Sequence, residues 1–236
     1  MRIRSLAITA LLCANLAPAL AQEDRMQDAI VVTGMRINAD SSLDDEIPNI
    51  RLRVPADFVL FEASFVNADL EPNSRKSDLG QAFKAVLKAD TARTDIQLSI
   101  GDSEESFPIE SVTFDEIYSP YGQRSSFNLA MHVDVRDGDT YDDVRVRAES
   151  FMSAIPEFGR VQYYIDDEQY IGLRNPERYR PDLIAAIADE VDTLDKAFKA
   201  SEITVFGLEK KTITQPTGAL SLDVFIPYDL TIVSKR

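Results

Sequence analysis

Residues 57–66 read DFVLFEASFV and place apolar side chains on both sides of one extended segment. Phe61 and Phe65 fall on one side at the two-residue period of a strand, and Phe58 and Leu60 fall on the other. A strand that is apolar on both sides is central and covered on both faces, or is covered once and contacts another subunit. The chain is therefore expected to build a multistranded sheet with at least one covering layer.

Three later segments change to the helical period of 3.6 residues. They cover residues 77–90, 137–155 and 182–200, with Ser77 as a cap of the first and Asp139 or Thr140 as a cap of the second. The third carries one apolar stripe, formed by Ile184, Ile187, Val191, Leu194 and Phe198. Strand-like segments surround the helices, at 50–54, 95–100, 109–117, 126–135, 160–166, 202–208 and 219–233. Strands outnumber helices and follow one another, so we predict an α+β fold with mixed or antiparallel sheets and about three amphipathic helices.

The first 21 residues have the pattern of a secretory signal peptide. Two arginines precede an apolar run of about 11 residues, too short to span a bilayer, and Ala19 and Ala21 form the cleavage site before Gln22. Cys13 lies inside the apolar run and is lost on cleavage. The predicted mature chain keeps one histidine and no cysteine, so its stability must come from a buried core. We expect a periplasmic protein and leave outer-membrane association open.

Net charge limits the partners of the chain. The sequence carries 40 acidic and 25 basic residues, a net charge of −15, which becomes −17 without the two leader arginines. Such a chain is repelled by phosphate backbones and by anionic lipid surfaces, so we expect no nucleic-acid partner. The predicted mature chain contains no second apolar run long enough for a transmembrane segment.

A short arm and an acidic linker precede the main body. Residues 28–36 read DAIVVTGMR and resemble the start of the plug domain in TonB-dependent receptors, but the chain is too short for the 22-stranded barrel of such a receptor. The apolar centre of the arm, Ile30, Val31 and Val32, favours either an added edge strand or a free tail. The predicted organisation is a signal peptide (1–21), an arm and linker (22–49) and one α+β domain (50–236).

The element order of the body resembles the SIMPL-domain family of exported bacterial proteins. The similarity is carried by IRLRVPADFVLFEASFV (50–66) with the following helix, by EIYSPYGQRSSFNLAMHVDVRDGDTYDDVRVRAESFM (116–152), and by the strand, long helix and closing strands of 160–233. It covers nearly the whole predicted mature chain. The long helix lacks the alanine- and lysine-rich composition that is common in the family. The resemblance implies an envelope-associated α+β protein, some of whose relatives form ring-like homo-oligomers.

No catalytic or cofactor motif is found in the sequence. The glycine spacing excludes G-x-G-x-x-G and P-loop motifs, and no G-x-S-x-G elbow occurs, so we assign no catalytic residue and no cofactor. We assign no metal ligands either, because the mature chain has too few Cys and His residues for zinc. We interpret His132 as a structural, hydrogen-bonded residue of its strand. The remaining alternative is a hydrolase that uses His132.

Two clusters remain as candidate sites. The acids of DVRDGDTYDD (134–143) favour a turn and a helix cap, with calcium binding as the alternative. Tyr118, Tyr121 and Tyr164 are candidate interaction residues, because tyrosine offers apolar area together with a hydroxyl. Tyr163 and its neighbour Tyr164 should point to opposite faces of their strand, which places one of them in the core.

These observations favour a non-enzymatic envelope protein that acts by forming a homo-oligomer or by binding an envelope protein partner. The alternative is a periplasmic module that binds a small ligand or calcium.

Overall fold

The computed structural model describes residues 35–36, 48–101 and 106–234, and it has an α+β fold built from antiparallel strands and four helices. The strands are β1 (Met35–Arg36), β2 (Leu52–Pro55), β3 (Phe58–Asn67), β4 (Ile96–Gly101), β5 (Ser106–Pro108), β6 (Ser119–Tyr121), β7 (Arg124–Asp134), β8 (Val161–Gly172), β9 (Ala200–Phe206), β10 (Ile213–Gly218), β11 (Ser221–Phe225) and β12 (Asp229–Ser234). The helices are α1 (Pro72–Asp90), α2 (Phe114–Ile117), α3 (Tyr141–Ser153) and α4 (Arg180–Phe198).

The strands form three antiparallel sheets. The largest has seven strands in the order β1-β8-β3-β7-β4-β5, with β6 also paired to β7. The other two contain β10-β11-β2 and the pair β12-β9. The strand that is apolar on both sides, β3, is central as predicted, because it pairs with β7 on one side and β8 on the other.

One face of the large sheet, which we call the helix face, packs against α1 and α3. Phe65 of β3 stacks on Phe127 of β7 with ring centroids 4.5 Å apart, and Phe83 of α1 meets Phe127 edge-on at 5.8 Å. Helix α3 adds Val144 and Phe151 to the same core. The helical stripes read from the sequence thus supply the covering layer.

The opposite face, which we call the open face, is covered only at one end. Phe58 and Leu60 are buried there, beside His132, and Arg174 lies over the Phe58 ring. Towards the other end the strands carry polar side chains that are exposed or half-buried, such as Asn128. Of the two predicted arrangements, cover on both faces therefore applies to the beginning of β3, and cover on the helix face alone applies towards its end.

The sequence reading is wrong for residues 109–117, which form a 3₁₀ turn and then helix α2 instead of a strand. The cause is a capping box, in which the backbone N–H of Thr113 donates to Glu116 Oε2 at 2.6 Å. Helix α1 also begins at Pro72 rather than at Ser77, because proline is compatible with the first turn of a helix.

The C-terminal strands also differ from the reading. Residues 219–233 do not form one bent strand; β11 and β12 join different sheets, with Pro227 between them. Strand β10 is absent from the predicted strands. It contains Pro216, which the structure tolerates because β10 lies at the edge of its sheet.

Only the last two residues of the N-terminal arm are described. Met35 and Arg36 pair with Ile171 and Tyr170 of β8, so this part of the arm does add to a sheet edge. The leader with its cleavage site at Ala19, Ala21 and Gln22, and the candidate residues Ile30, Val31 and Val32, lie outside the described residues. Among the helices that are described, none combines the length and apolar character needed to cross a membrane.

Replacing Phe65 by alanine should destabilise the fold by about 3–5 kcal/mol, because it removes a fully buried ring and its stack on Phe127. Urea unfolding followed by circular dichroism measures this change. Tyr121→Ala is the matched control: its side chain is 84% exposed, and the expected change is within about 0.5 kcal/mol. Equal losses in the two variants would contradict the assignment of the core.

Candidate interaction site

The structure separates the three candidate tyrosines. Strand register places Tyr164 in one row with Ser64 and Asn128 on the open face, and Tyr121 lies further along the same face, opposite Arg124. Both rings are largely exposed, Tyr164 at 54%. They flank a polar surface at opposite sides of the sheet, which suits contact with another molecule but is also normal for a solvated antiparallel face.

Tyr118 does not belong to this surface. Its ring packs 5.4 Å from that of Phe114, its hydroxyl donates to Ser125 Oγ at 2.9 Å, and Lys76 lies over it. Because Ser125 points to the helix face, Tyr118 helps to attach helix α2 to the sheet. Tyr163 likewise faces the core, so the predicted split between Tyr163 and Tyr164 is confirmed.

A cavity of about 590 Å³ opens beside Tyr164 at the edge of the sheet. Two arginines line it. Arg124 has no ion-pair partner among the described residues, and Arg160 contacts Asp69 at 3.6 Å. Gln162 and Glu157 complete the polar lining. A larger cavity of about 690 Å³ lies along α1 and α2. The cavity beside Tyr164 is distinguished by its two arginines, whose chemistry suits an anion with hydroxyl groups.

His132 is buried at the covered end of the open face. Its side chain is 2% exposed, its Nε2 lies 2.8 Å from Ser99 Oγ, and its ring packs 4.9 Å from that of Phe58. Burial first, and then the charge of Arg174, lower the pKa of His132 to about 4. The ring is neutral at neutral pH and Ser99 is fully buried, so this serine–histidine pair has the geometry of a structural contact.

Three of the five acids of residues 134–143 have protein partners. Asp143 Oδ2 accepts from the Thr140 backbone N–H at 2.9 Å in a capping box, Arg147 binds Asp139, and Arg174 binds Asp134. The predicted cap of α3 is therefore confirmed. Across the described part of the chain, no group of three or more Asp, Glu, His or Cys residues is placed to hold a metal ion.

The C-terminal unit, which we define as α4, β9 and β12, exposes several apolar side chains, and two of them, Ile184 and Phe198, belong to the predicted apolar stripe of α4. Only Leu183 and Ile187 of α4 are buried. Phe198 at the end of the helix is 59% exposed and Phe206 at the end of β9 is 56% exposed. Further exposed apolar side chains in the unit are Ile184, Ile232 and Val233.

Charge is distributed unevenly between residues 192–236, which include the end of α4, β9 and β12, and the rest of the chain. Residues 192–236 contain six acidic and six basic residues, so the entire net charge of −15 belongs to residues 1–191. The balance holds for residues 192–236, whereas the whole C-terminal unit carries seven acidic and two basic residues, because α4 is acidic. Phe198, Phe206, Ile232 and Val233 lie in the neutral stretch, with Ile232 and Val233 on opposite faces of the β9–β12 pair. Exposed apolar area of this kind favours an interaction site, and local neutrality reduces the repulsion that two copies of an acidic chain would otherwise experience.

Comparison with known proteins adds no family to these observations, because no protein-family model, no curated protein and no solved structure matches the chain.

His132→Gln should make stability less dependent on pH. The folded-state pKa of His132 lies near 4, below the ordinary value of 6.5, so its contribution is present above pH 6.5 and is lost as the pH falls towards 4. The loss is on the order of 3 kcal/mol. Urea unfolding at neutral pH and near pH 4 measures it, because glutamine does not titrate. Parallel pH profiles for wild type and variant would contradict the buried neutral imidazole.

Proposed function

We propose that this chain is an exported, SIMPL-like protein of the periplasm or cell envelope that acts non-enzymatically through self-association. The C-terminal unit is the proposed contact surface. The leader pattern supports export, and the element order quoted above supports the family resemblance. The Ser99–His132 pair is buried away from solvent, which favours a structural role for the only histidine.

The observation that carries the proposal is the exposed apolar surface of the C-terminal unit. Phe198 ends α4 two residues before Ala200, and Ala200 pairs with Ser234, the residue that follows Val233. Helix α4 is attached to the core through Leu183 in its first turns, while its second half carries no fully buried residue. Covering this surface in a complex would remove apolar area from water, and each Å² of buried apolar area stabilises the complex by about 25 cal/mol.

A second copy fits this surface better than a basic partner does. A basic partner would be attracted to the acidic residues 1–191, whereas the exposed apolar side chains lie mainly where acidic and basic residues balance. Two copies that meet through the end of α4, β9 and β12 bring together a part of each chain in which acidic and basic residues balance, which limits the repulsive energy between them. The charge pattern thus favours contact between like surfaces.

The double variant Phe198→Asp/Val233→Asp should shift the protein from oligomer to monomer, because it places two carboxylates in the proposed contact. Multi-angle light scattering of residues 22–236 at micromolar concentration measures the mass. Both side chains are exposed, so the fold should survive, and circular dichroism checks this.

Val146→Asp is the matched control, since Val146 is 58% exposed but lies on α3, away from the C-terminal unit. It should leave the mass of the oligomer unchanged. A second comparison removes residues 22–37 and tests whether the arm contributes. A wild-type protein that is strictly monomeric would overturn the proposal.

The second candidate function is binding of a small anionic ligand in the cavity beside Tyr164, favoured by Arg124 and Arg160 in its wall. Sugar acids such as glucuronate combine a carboxylate with hydroxyl groups and would match this lining. Glucuronate should raise the melting temperature of the wild-type protein but not of Arg124→Ala. An absence of any shift across a panel of sugar acids would count against this candidate.

A further inference from the structure

We propose that the cavity along α1 and α2, which we call the α1–α2 groove, binds a fatty acid. This inference goes beyond the proposed self-association and uses residues outside the C-terminal unit. The groove has a volume of about 690 Å³, which lies within the range of about 300–1,000 Å³ that is usual for small-molecule sites. It is lined by α1 from Asn73 to Leu87 and by Phe114 and Asp115 of α2.

The middle of the groove is apolar. Phe83 of α1 and Phe114 of α2 pack with their ring centroids 5.9 Å apart, and Leu87, one turn after Phe83, is half-buried. Gly80 lies where α1 passes Phe114, and a Cβ added there would lie 3.4 Å from the Phe114 ring. A glycine inside a helix lowers the stability of the helix, and here it keeps the space beside Phe114 open.

The groove is elongated along α1. Asn73 and Leu87 lie 14 residues apart in the helix, which is about 21 Å at the rise of an α-helix. A partner helix would need apolar contacts repeated over several turns, whereas α2 has four residues and the apolar lining is confined to the middle of the groove. A single extended hydrocarbon chain matches this shape better than a helix does.

The charges at the groove favour an anionic ligand. Lys76 is paired with Asp115 of α2 at 2.7 Å. Lys84 also lines the groove, is exposed, and has no ion-pair partner among the described residues. Lys88 lies one turn further along α1, and like charges at this spacing destabilise a helix. A carboxylate beside Lys84 would offset this repulsion.

The basic character of this part of α1 contrasts with the rest of the chain. Residues 76–88 contain three basic residues and one acidic residue, whereas the whole chain has a net charge of −15. A fatty acid combines an apolar chain with one carboxylate and therefore matches both parts of the groove. Its chain lies over Phe83 and Phe114, and its carboxylate binds Lys84. An alcohol of equal chain length would match the apolar part alone.

Isothermal titration calorimetry of residues 22–236 with decanoate tests the site, and 1-decanol at the same concentrations is the neutral comparison. One equivalent of decanoate should bind, and decanol should bind more weakly. Lys84→Glu should weaken decanoate binding by about fivefold or more, because an ion pair is replaced by repulsion. Lys196→Glu is the matched control, since Lys196 is exposed but lies on α4. It should leave the affinity unchanged.

A second pair of variants tests the location without changing charge. Ser77→Trp should abolish decanoate binding, because Ser77 lines the groove and an indole ring would fill it. Ser74→Trp should bind decanoate like the wild type, since Ser74 is exposed on the same helix but does not line the groove. Both replaced side chains are exposed, so the fold should survive, and circular dichroism checks this.

The outcomes separate this inference from the proposed function. Decanoate binding that is lost in Ser77→Trp and weakened in Lys84→Glu supports the fatty-acid site, whatever the mass of the protein in solution. Equal affinities for decanoate and decanol overturn it. A fall in oligomer mass caused by Ser77→Trp assigns the groove to a second copy and also overturns it. An absence of decanoate binding up to about 1 mM overturns the site and leaves self-association standing.

Discussion

The pairing of β3 with two long neighbours is the interaction on which the rest of the structure depends. Its residues from Phe58 to Asn67 are matched to β7 without interruption, and β8 completes the ladder on the other side. Because side chains alternate along a strand, this pairing fixes Phe61 and Phe65 on the helix face and Phe58 and Leu60 on the other. Helices α1 and α3 then pack where the apolar rows of three strands coincide.

Most of this central layer could be predicted from the sequence, because its signals are local. The alternation of Phe127, Leu129 and Met131 identifies β7, and the Thr140–Asp143 capping box marks the start of α3. Helix α2 was not predicted, because residues 109–117 alternate like a strand, whereas the Thr113–Glu116 capping box starts a helix within them. The partition of residues 219–233 between two sheets could not be read, since it depends on pairing partners more than 20 residues away in the chain.

The candidate surface shows a different limit of sequence reading. The stripe of α4 indicates a helix with one apolar side, but a stripe does not say what covers it, and the structure leaves Phe198 largely exposed. A signal for this surface was present in the sequence. Net charge summed over the whole chain conceals the neutral region, whereas the same count over residues 192–236 reveals it. The tyrosines, in contrast, could not be assigned to the two faces from the sequence, because the assignment depends on strand register.

Helix α4 has a mechanical consequence that follows from where it is attached. Its fully buried side chains end at Ile187, and Phe198 lies 11 residues further along, a distance of about 16 Å at the rise of an α-helix. The second half of the helix is held less tightly, by half-buried Val191 and Leu194 and by its packing against β9, so a rigid tilt of α4 would turn about a point near Ile187 and would carry β9 with it. By this geometry a tilt of about 10° displaces Phe198 by about 3 Å. Small adjustments at the sheet are thus magnified at the tip, where the molecule offers its least protected apolar surface.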